Sequence, residues 1–132
     1  MTPEVADLWQ RALQALRTAE RLVEDDPDAS ASRSYYAAFY AVSAVLAFDQ
    51  RSFSKHTAVE RAVHRDLVKP GIWPVEIGAA FSWLMALRST GDYGGEAHVA
   101  PEDARTAVEK ARLVLQTAKS SAPEPLPDLD RG

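Results

Sequence analysis

Residues 27–48 read PDASASRSYYAAFYAVSAVLAF. Asp26 and Pro27 give this stretch a helix start: an acid that can cap, then a proline whose missing N–H would be unpaired in a first turn anyway. Ala31, Tyr35, Ala38, Phe39, Val42, Val45 and Leu46 recur at three- and four-residue steps, the period of one helix face. Tyr36, Tyr40, Ser43 and Ala47 form a second stripe on another face. A helix that is apolar on more than one side is buried on more than one side. The segment is therefore expected to be central in an all-α bundle, or to lie at a subunit interface.

Outward from it, the same period repeats. Thr2 and Pro3 open a helix that runs to about Val23, with Val5, Leu8, Trp9, Ala12, Leu16 and Ala19 on its stripe. A third helix is expected to start with Ser54 as N-cap and Phe53 stapled onto Ala58, and to end before Pro70-Gly71. A fourth starts at Pro74, carries Ile77, Phe81, Leu84, Met85 and Leu87, and stops at Gly91, since glycine accepts the left-handed conformation past a helix end. A short loop, Gly91-Asp92-Tyr93-Gly94-Gly95, follows. A fifth helix opens at Pro101, with Glu102 and Asp103 complementing its dipole, and buries Ala104, Ala107, Val108, Ala111, Val114, Leu115 and Ala118. No run alternates cleanly at period two. The expected architecture is one all-α domain of about five helices over residues 1–120. Residues 121–132, with Pro123, Pro125 and Pro127 among acids, read as a disordered tail.

Composition narrows the function classes. A chain of 132 residues with 46% hydrophobic and 26% charged residues is an ordinary globular domain. There is no cysteine, so disulfides, thiolate nucleophiles and cysteine-ligated metals are excluded. No Gly-rich phosphate loop, no Gly-x-Ser-x-Gly elbow and no Glu-x-x-His pair is present. His56, Glu60 and His64 stand at four-residue steps on one helix face. That row can hold a metal or be a charged surface; the surface is expected, with no metal and no cofactor. No signal segment and no run of about 18 apolar residues is found, so no membrane span is expected and the cytoplasm is the expected compartment.

The net charge of −4 argues against wholesale nucleic-acid binding, but the charge is uneven. Between Arg51 and Lys69 five bases (Arg51, Lys55, Arg61, Arg65, Lys69) face two acids (Glu60, Asp66), a local +3 that leaves −7 for the rest. Such a patch can attract phosphate or be a solvated face.

Three motifs carry a resemblance. Ala31-Ser32-Arg33-Ser34-Tyr35-Tyr36-Ala37-Ala38-Phe39 resembles the Ser-Arg-x-Tyr-Tyr-Ala-x-Phe signature of HEPN (higher eukaryotes and prokaryotes nucleotide-binding) domains. Ser54-Lys55-His56 follows about fifteen residues on, as in that family. Arg88-Ser89-Thr90-Gly91-Asp92-Tyr93 is similar to the Arg-x-x-Ala-Asp-Tyr of one prokaryotic branch. Order and spacing match, and the likeness covers about Pro3 to Lys119. The resemblance implies an up-and-down helical bundle that commonly dimerises. It also implies a metal-independent ribonuclease acting as a toxin or in antiviral defence, often paired with a nucleotidyltransferase antitoxin. In that family an Arg followed four to six residues later by His forms the active site, doubled across a dimer cleft.

Here Arg88 matches the Arg, and Tyr93 stands where the nuclease His would be. His98 is too far along to match. The departure matters chemically. Cleavage of RNA by its own 2′-OH needs a base that titrates near neutrality, which His supplies and a tyrosine hydroxyl, ionising near pH 10, does not. Arg88 can still clamp a phosphate and stabilise its charge, with Asp92 acting as base or orienting Arg88. The opposing reading is an Arg88–Asp92 pair that closes the fourth helix with Tyr93 packed beneath it. Arg33 can bind phosphate or pair internally. Lys55 and His56 at a helix start can meet an anion or stand exposed. Tyr35 and Tyr36 read as core or interface. Two functions follow. One is a HEPN-like protein that binds RNA or nucleotide as a homodimer, the toxin of a two-gene module. The other is a non-enzymatic module acting through its dimer or partner-protein surface.

Overall fold

A computed structural model describes residues 1–129, and five α-helices and one π-helical turn, with no strand, make up its regular structure among them. Helix α1 spans Pro3–Leu22. Thr2 Oγ1 accepts the Val5 N–H at 3.2 Å, and Pro3 takes the first turn. Helix α2 spans Pro27–Phe48, capped by Asp26 on the Ala29 N–H at 3.2 Å. Both starts were legible because a cap is a local event.

Of the two readings left open for α2, the central one holds within the chain. The helix buries residues all round, from Ala31 to Ala47, and packs against α1 on one side and the later helices on the other. Six buried alanines (Ala31, Ala37, Ala38, Ala41, Ala44, Ala47) let neighbouring helices come close to its backbone. Buried polar groups on this helix need internal partners. Ser30 Oγ finds one in the Ala19 carbonyl at 2.7 Å.

Helix α3 is His56–Ala62, and it continues as a π-helical turn over Val63–Val68. Ser54 does not cap it. Lys55 occupies the cap position, and no side-chain cap bond forms there. The wider turn is visible in the Lys69 N–H, which reaches back five residues to the His64 carbonyl at 2.9 Å. Helix α4 is Val75–Tyr93, and Gly94 caps it. The expected stop at Gly91 and the loop from Gly91 are thus corrected: the helix runs two residues past Gly91. This glycine serves packing instead, because a Cβ there would meet the Asp28 carbonyl oxygen at 2.8 Å. Helix α5 is Pro101–Ser121, with Ala104, Ala107, Ala111, Val114, Leu115 and Ala118 buried. It lies on α2 and α4.

The segment after α5 departs from the expected disordered tail as far as it is described. Leu126 is buried in the core, and the Trp9 indole N–H donates to the Pro127 carbonyl at 2.9 Å. Glu124 meets the N-terminal ammonium at 2.7 Å, and Asp128 meets Lys119 at 3.1 Å. Residues 130–132 lie outside the described residues. Among the described residues no helix is long and apolar enough to cross a membrane.

Candidate functional site

The site begins with two neighbouring tyrosines on α2. Tyr35 points into the core and is fully buried; Tyr36, 100° further round the helix, is half-buried at its edge. One turn on, Phe39 and Tyr40 continue the two rows, with Tyr35–Phe39 and Tyr36–Tyr40 ring centroids 5.9 Å apart in each case. Because His56 is the first residue of α3, its ring can swing onto this surface. It lies 4.7 Å from Phe39, 5.5 Å from Tyr35 and 5.7 Å from Tyr36. Phe81 of α4 closes the floor, 5.7 Å from Tyr35.

Arg88, two turns along α4 from Phe81, lays its guanidinium across the rim. Its side chain is only 15% exposed, which makes its partners matter. Nε donates to Asp92 at 2.9 Å, one helical turn on, and Nη2 donates to the Tyr36 hydroxyl at 3.1 Å and the Tyr93 hydroxyl at 3.3 Å. The charge also sits 5.3–5.6 Å from the centroids of Tyr36, Tyr93 and Tyr35. Burial disfavours the guanidinium charge, but Tyr36, Tyr93 and Asp92 more than offset it. Nη1 has no hydrogen-bond partner among the described residues.

The imidazole is tied into the same cluster. Tyr35 Oη and His56 Nδ1 are 2.7 Å apart. Burial raises the Tyr35 hydroxyl well above its ordinary pKa, and the charge of Arg88 partly opposes this. The Tyr35 hydroxyl is thus held protonated, and it either donates to Nδ1 or accepts from Nδ1–H according to the tautomer of His56. Burial, and then the charge of Arg88, hold His56 below the usual histidine pKa.

Arg88, Asp92, Tyr93 and His56 are therefore brought together, and Arg33 joins at Tyr36, its guanidinium 4.8 Å from that ring. Lys55 is not; it stands exposed at the start of α3. Tyr93 is not packed beneath the Arg88–Asp92 pair, since it is 72% exposed on the last turn of α4. His98 pairs instead with Asp28 at 2.6 Å. The His56–Glu60–His64 row splits: His56 goes to Tyr35, while Glu60 and His64 both meet Ser82 Oγ, at 2.6 and 2.9 Å. Among the described residues no three His, Cys, Asp or Glu side chains are grouped to hold a metal ion.

Sequence reasoning missed Tyr36 as the partner that ties α4 to α2, and Tyr35 as the partner of His56. The second stripe of α2 was the available signal, because a tyrosine at a helix edge needs an outlet for its hydroxyl.

Comparison with known proteins shows the family of the chain. A family model described as HEPN domain matches residues 5–121. The UPF0332 protein glr0978 of Gloeobacter violaceus is 36% identical over 89% of this chain and 95% of its own length. A UPF0332 protein of Thermotoga maritima is 36% identical over 85% and 86%. The Methanocaldococcus jannaschii protein named "Putative toxin MJ0142" is 26% identical over 88% and 80%.

Proposed function

The chain belongs to the HEPN domain family, and from that premise we propose that it binds single-stranded RNA and cleaves it without metal, as the toxin of a two-gene module. One observation carries the reading: Arg88 is fixed on three sides, yet keeps the two N–H bonds of Nη1 for a phosphate. A fork pre-set by Asp92 and two tyrosines pays little ordering entropy when the anion arrives. The name of the Methanocaldococcus relative supports the toxin role.

His56 supplies the imidazole that the Arg-to-Tyr93 spacing lacks. Its depressed pKa keeps it neutral at pH 7 and so able to accept a proton. In the reaction, the 2′-oxygen bonds to phosphorus as its proton passes to Nε2 of the His56 tautomer whose Nδ1–H donates to Tyr35 Oη, and the bond from phosphorus to the 5′-oxygen breaks. Arg88 offsets the charge gathering on the phosphoryl oxygens. The Tyr93 hydroxyl, held against Arg88, gives its proton to the departing 5′-oxygen, and the proton taken up by His56 returns to Tyr93 through water. The products are a 2′,3′-cyclic phosphate and a 5′-hydroxyl. Two copies of the chain, meeting in the cytoplasm around this face, form the working unit, and a nucleotidyltransferase antitoxin is its proposed partner.

The test is incubation of the full chain with single-stranded RNA in excess EDTA, with product ends read by mass spectrometry. Cyclic phosphate ends from the wild type, lost in Arg88→Ala and His56→Gln at unchanged helical content, are expected. Cleavage that persists in His56→Gln removes the imidazole from the reaction. Intact RNA with every variant moves the chain to the interaction-module reading.

A further inference from the structure

A second feature adjoins the Arg88 site at Tyr36. The tyrosine ring is shared: Arg88 lies 5.3 Å from its centroid and Arg33 4.8 Å. Beyond Arg33, an open groove of about 390 Å³ runs between α1 and α2, lined by Asp7, Gln10, Arg11, Gln14, Arg33 and Tyr40. That volume falls within the range of small-molecule sites, about 300–1,000 Å³. Tyr40 continues the ring row from Tyr36 at 5.9 Å, and the Arg11 guanidinium stands 6.0 Å from the Tyr40 centroid. Arg17 reaches the same rim, donating to Gln14 at 3.4 Å. The one acid in the groove, Asp7, is already taken by Arg11 at 2.9 Å. Arg33 has no carboxylate partner among the described residues. Arginines and tyrosines thus alternate from α4 across α2 to α1, on a protein whose net charge is −4.

We infer that this groove is a subsite for the nucleotide flanking the phosphodiester held at Arg88. The inference rests on the RNA reading of that site and extends it. Arg33 takes the flanking phosphate, since its charge is uncommitted and lies one ring away from Arg88. The base lies against Tyr40, whose face every base can use. Gln10 and Gln14, each with an amide donor and an acceptor, meet the base edge. The occupant is single-stranded, because paired bases keep their faces in the stack and their edges out of reach.

Anisotropy titrations of the full chain test this, with labelled 2′-O-methyl oligonucleotides of three and ten nucleotides that cannot be cleaved. Arg33→Gln and Tyr40→Leu keep side-chain bulk, and circular dichroism melts check that both variants fold. Each is expected to bind the ten-mer about tenfold more weakly, the scale of one lost base stack or phosphate contact. In Arg33→Gln the slope of log affinity against log salt should also fall by about 0.7. Arg88→Ala should weaken both lengths. Wild-type ten-mer affinity in either folded groove variant overturns the subsite, whatever Arg88→Ala does. Loss in the groove variants with none in Arg88→Ala upholds the groove and removes the Arg88 reading. No binding by the wild type removes both. Groove variants that change the molecular mass but not RNA binding make the groove a contact between copies and overturn the subsite.

Discussion

Arg88 divides its guanidinium among Asp92, Tyr36 and Tyr93, and each bond can be removed separately. Tyr36→Phe keeps the ring and deletes one acceptor; chemical denaturation should show a loss of about 0.5–1.5 kcal/mol. The Arg88–Asp92 pair alone, if it were an exposed helix pair, would contribute about 0.2–1 kcal/mol. Since Arg88 is largely buried and also bridges α4 to α2, Arg88→Ala is expected to cost more, about 1–3 kcal/mol. His56 makes a prediction in pH. Its folded pKa lies below its unfolded value near 6.5, because burial and then Arg88 oppose the charged ring. Between those two values the unfolded chain binds more protons, so its stabilising contribution is complete above about pH 6.5 and is lost as pH falls to the folded pKa. Melts from pH 7.5 to 5 should show a decline in the wild type that is smaller in His56→Gln. Parallel curves would mean that His56 is not held neutral.

The starts of α1 and α2 were legible, and the end of α4 was not. Thr2, Asp26 and Pro27 act within one turn, so their order in the chain is enough. Gly91 reads as a stop from its neighbours alone, but what decides its role is the backbone of Asp28, more than sixty residues away in the chain. Gly91→Ala should therefore destabilise the protein. It gains about 1 kcal/mol in helix propensity, but a methyl 2.8 Å from a backbone oxygen costs about 1–3 kcal/mol and forces α4 off α2. A raised melting temperature would contradict that contact. The π-helical turn at Val63–Val68 leaves no local mark in composition. The segment after α5 misled for a related reason: its prolines and acids set the average, while one residue, Leu126, sets the packing. Leu126→Ala should cost about 2 kcal/mol by denaturant melt, and a disordered tail would show no loss.

At the scale of the whole molecule, the all-α class was legible because a two-sided helix can be satisfied only from several directions. The site was legible in its residues but not in its connections. Arg88, Asp92, Tyr93, Arg33 and His56 were each singled out, yet that His56 and Arg88 meet through Tyr35 and Tyr36 depends on how α3 and α4 fall across α2. A composite site across two copies predicts a particle of twice 14.5 kDa by light scattering at micromolar concentration; a monomer mass would leave each Arg88 cluster to act alone. The central claim, that Arg88 holds the RNA phosphate, is tested most directly by titrating single-stranded RNA onto Arg88→Ala beside its thermal melt. The account predicts that binding is abolished while helical content and molecular mass are retained. A destabilised Arg88→Ala that still binds RNA with wild-type affinity would contradict it and leave Arg88 as the residue that closes α4 onto α2.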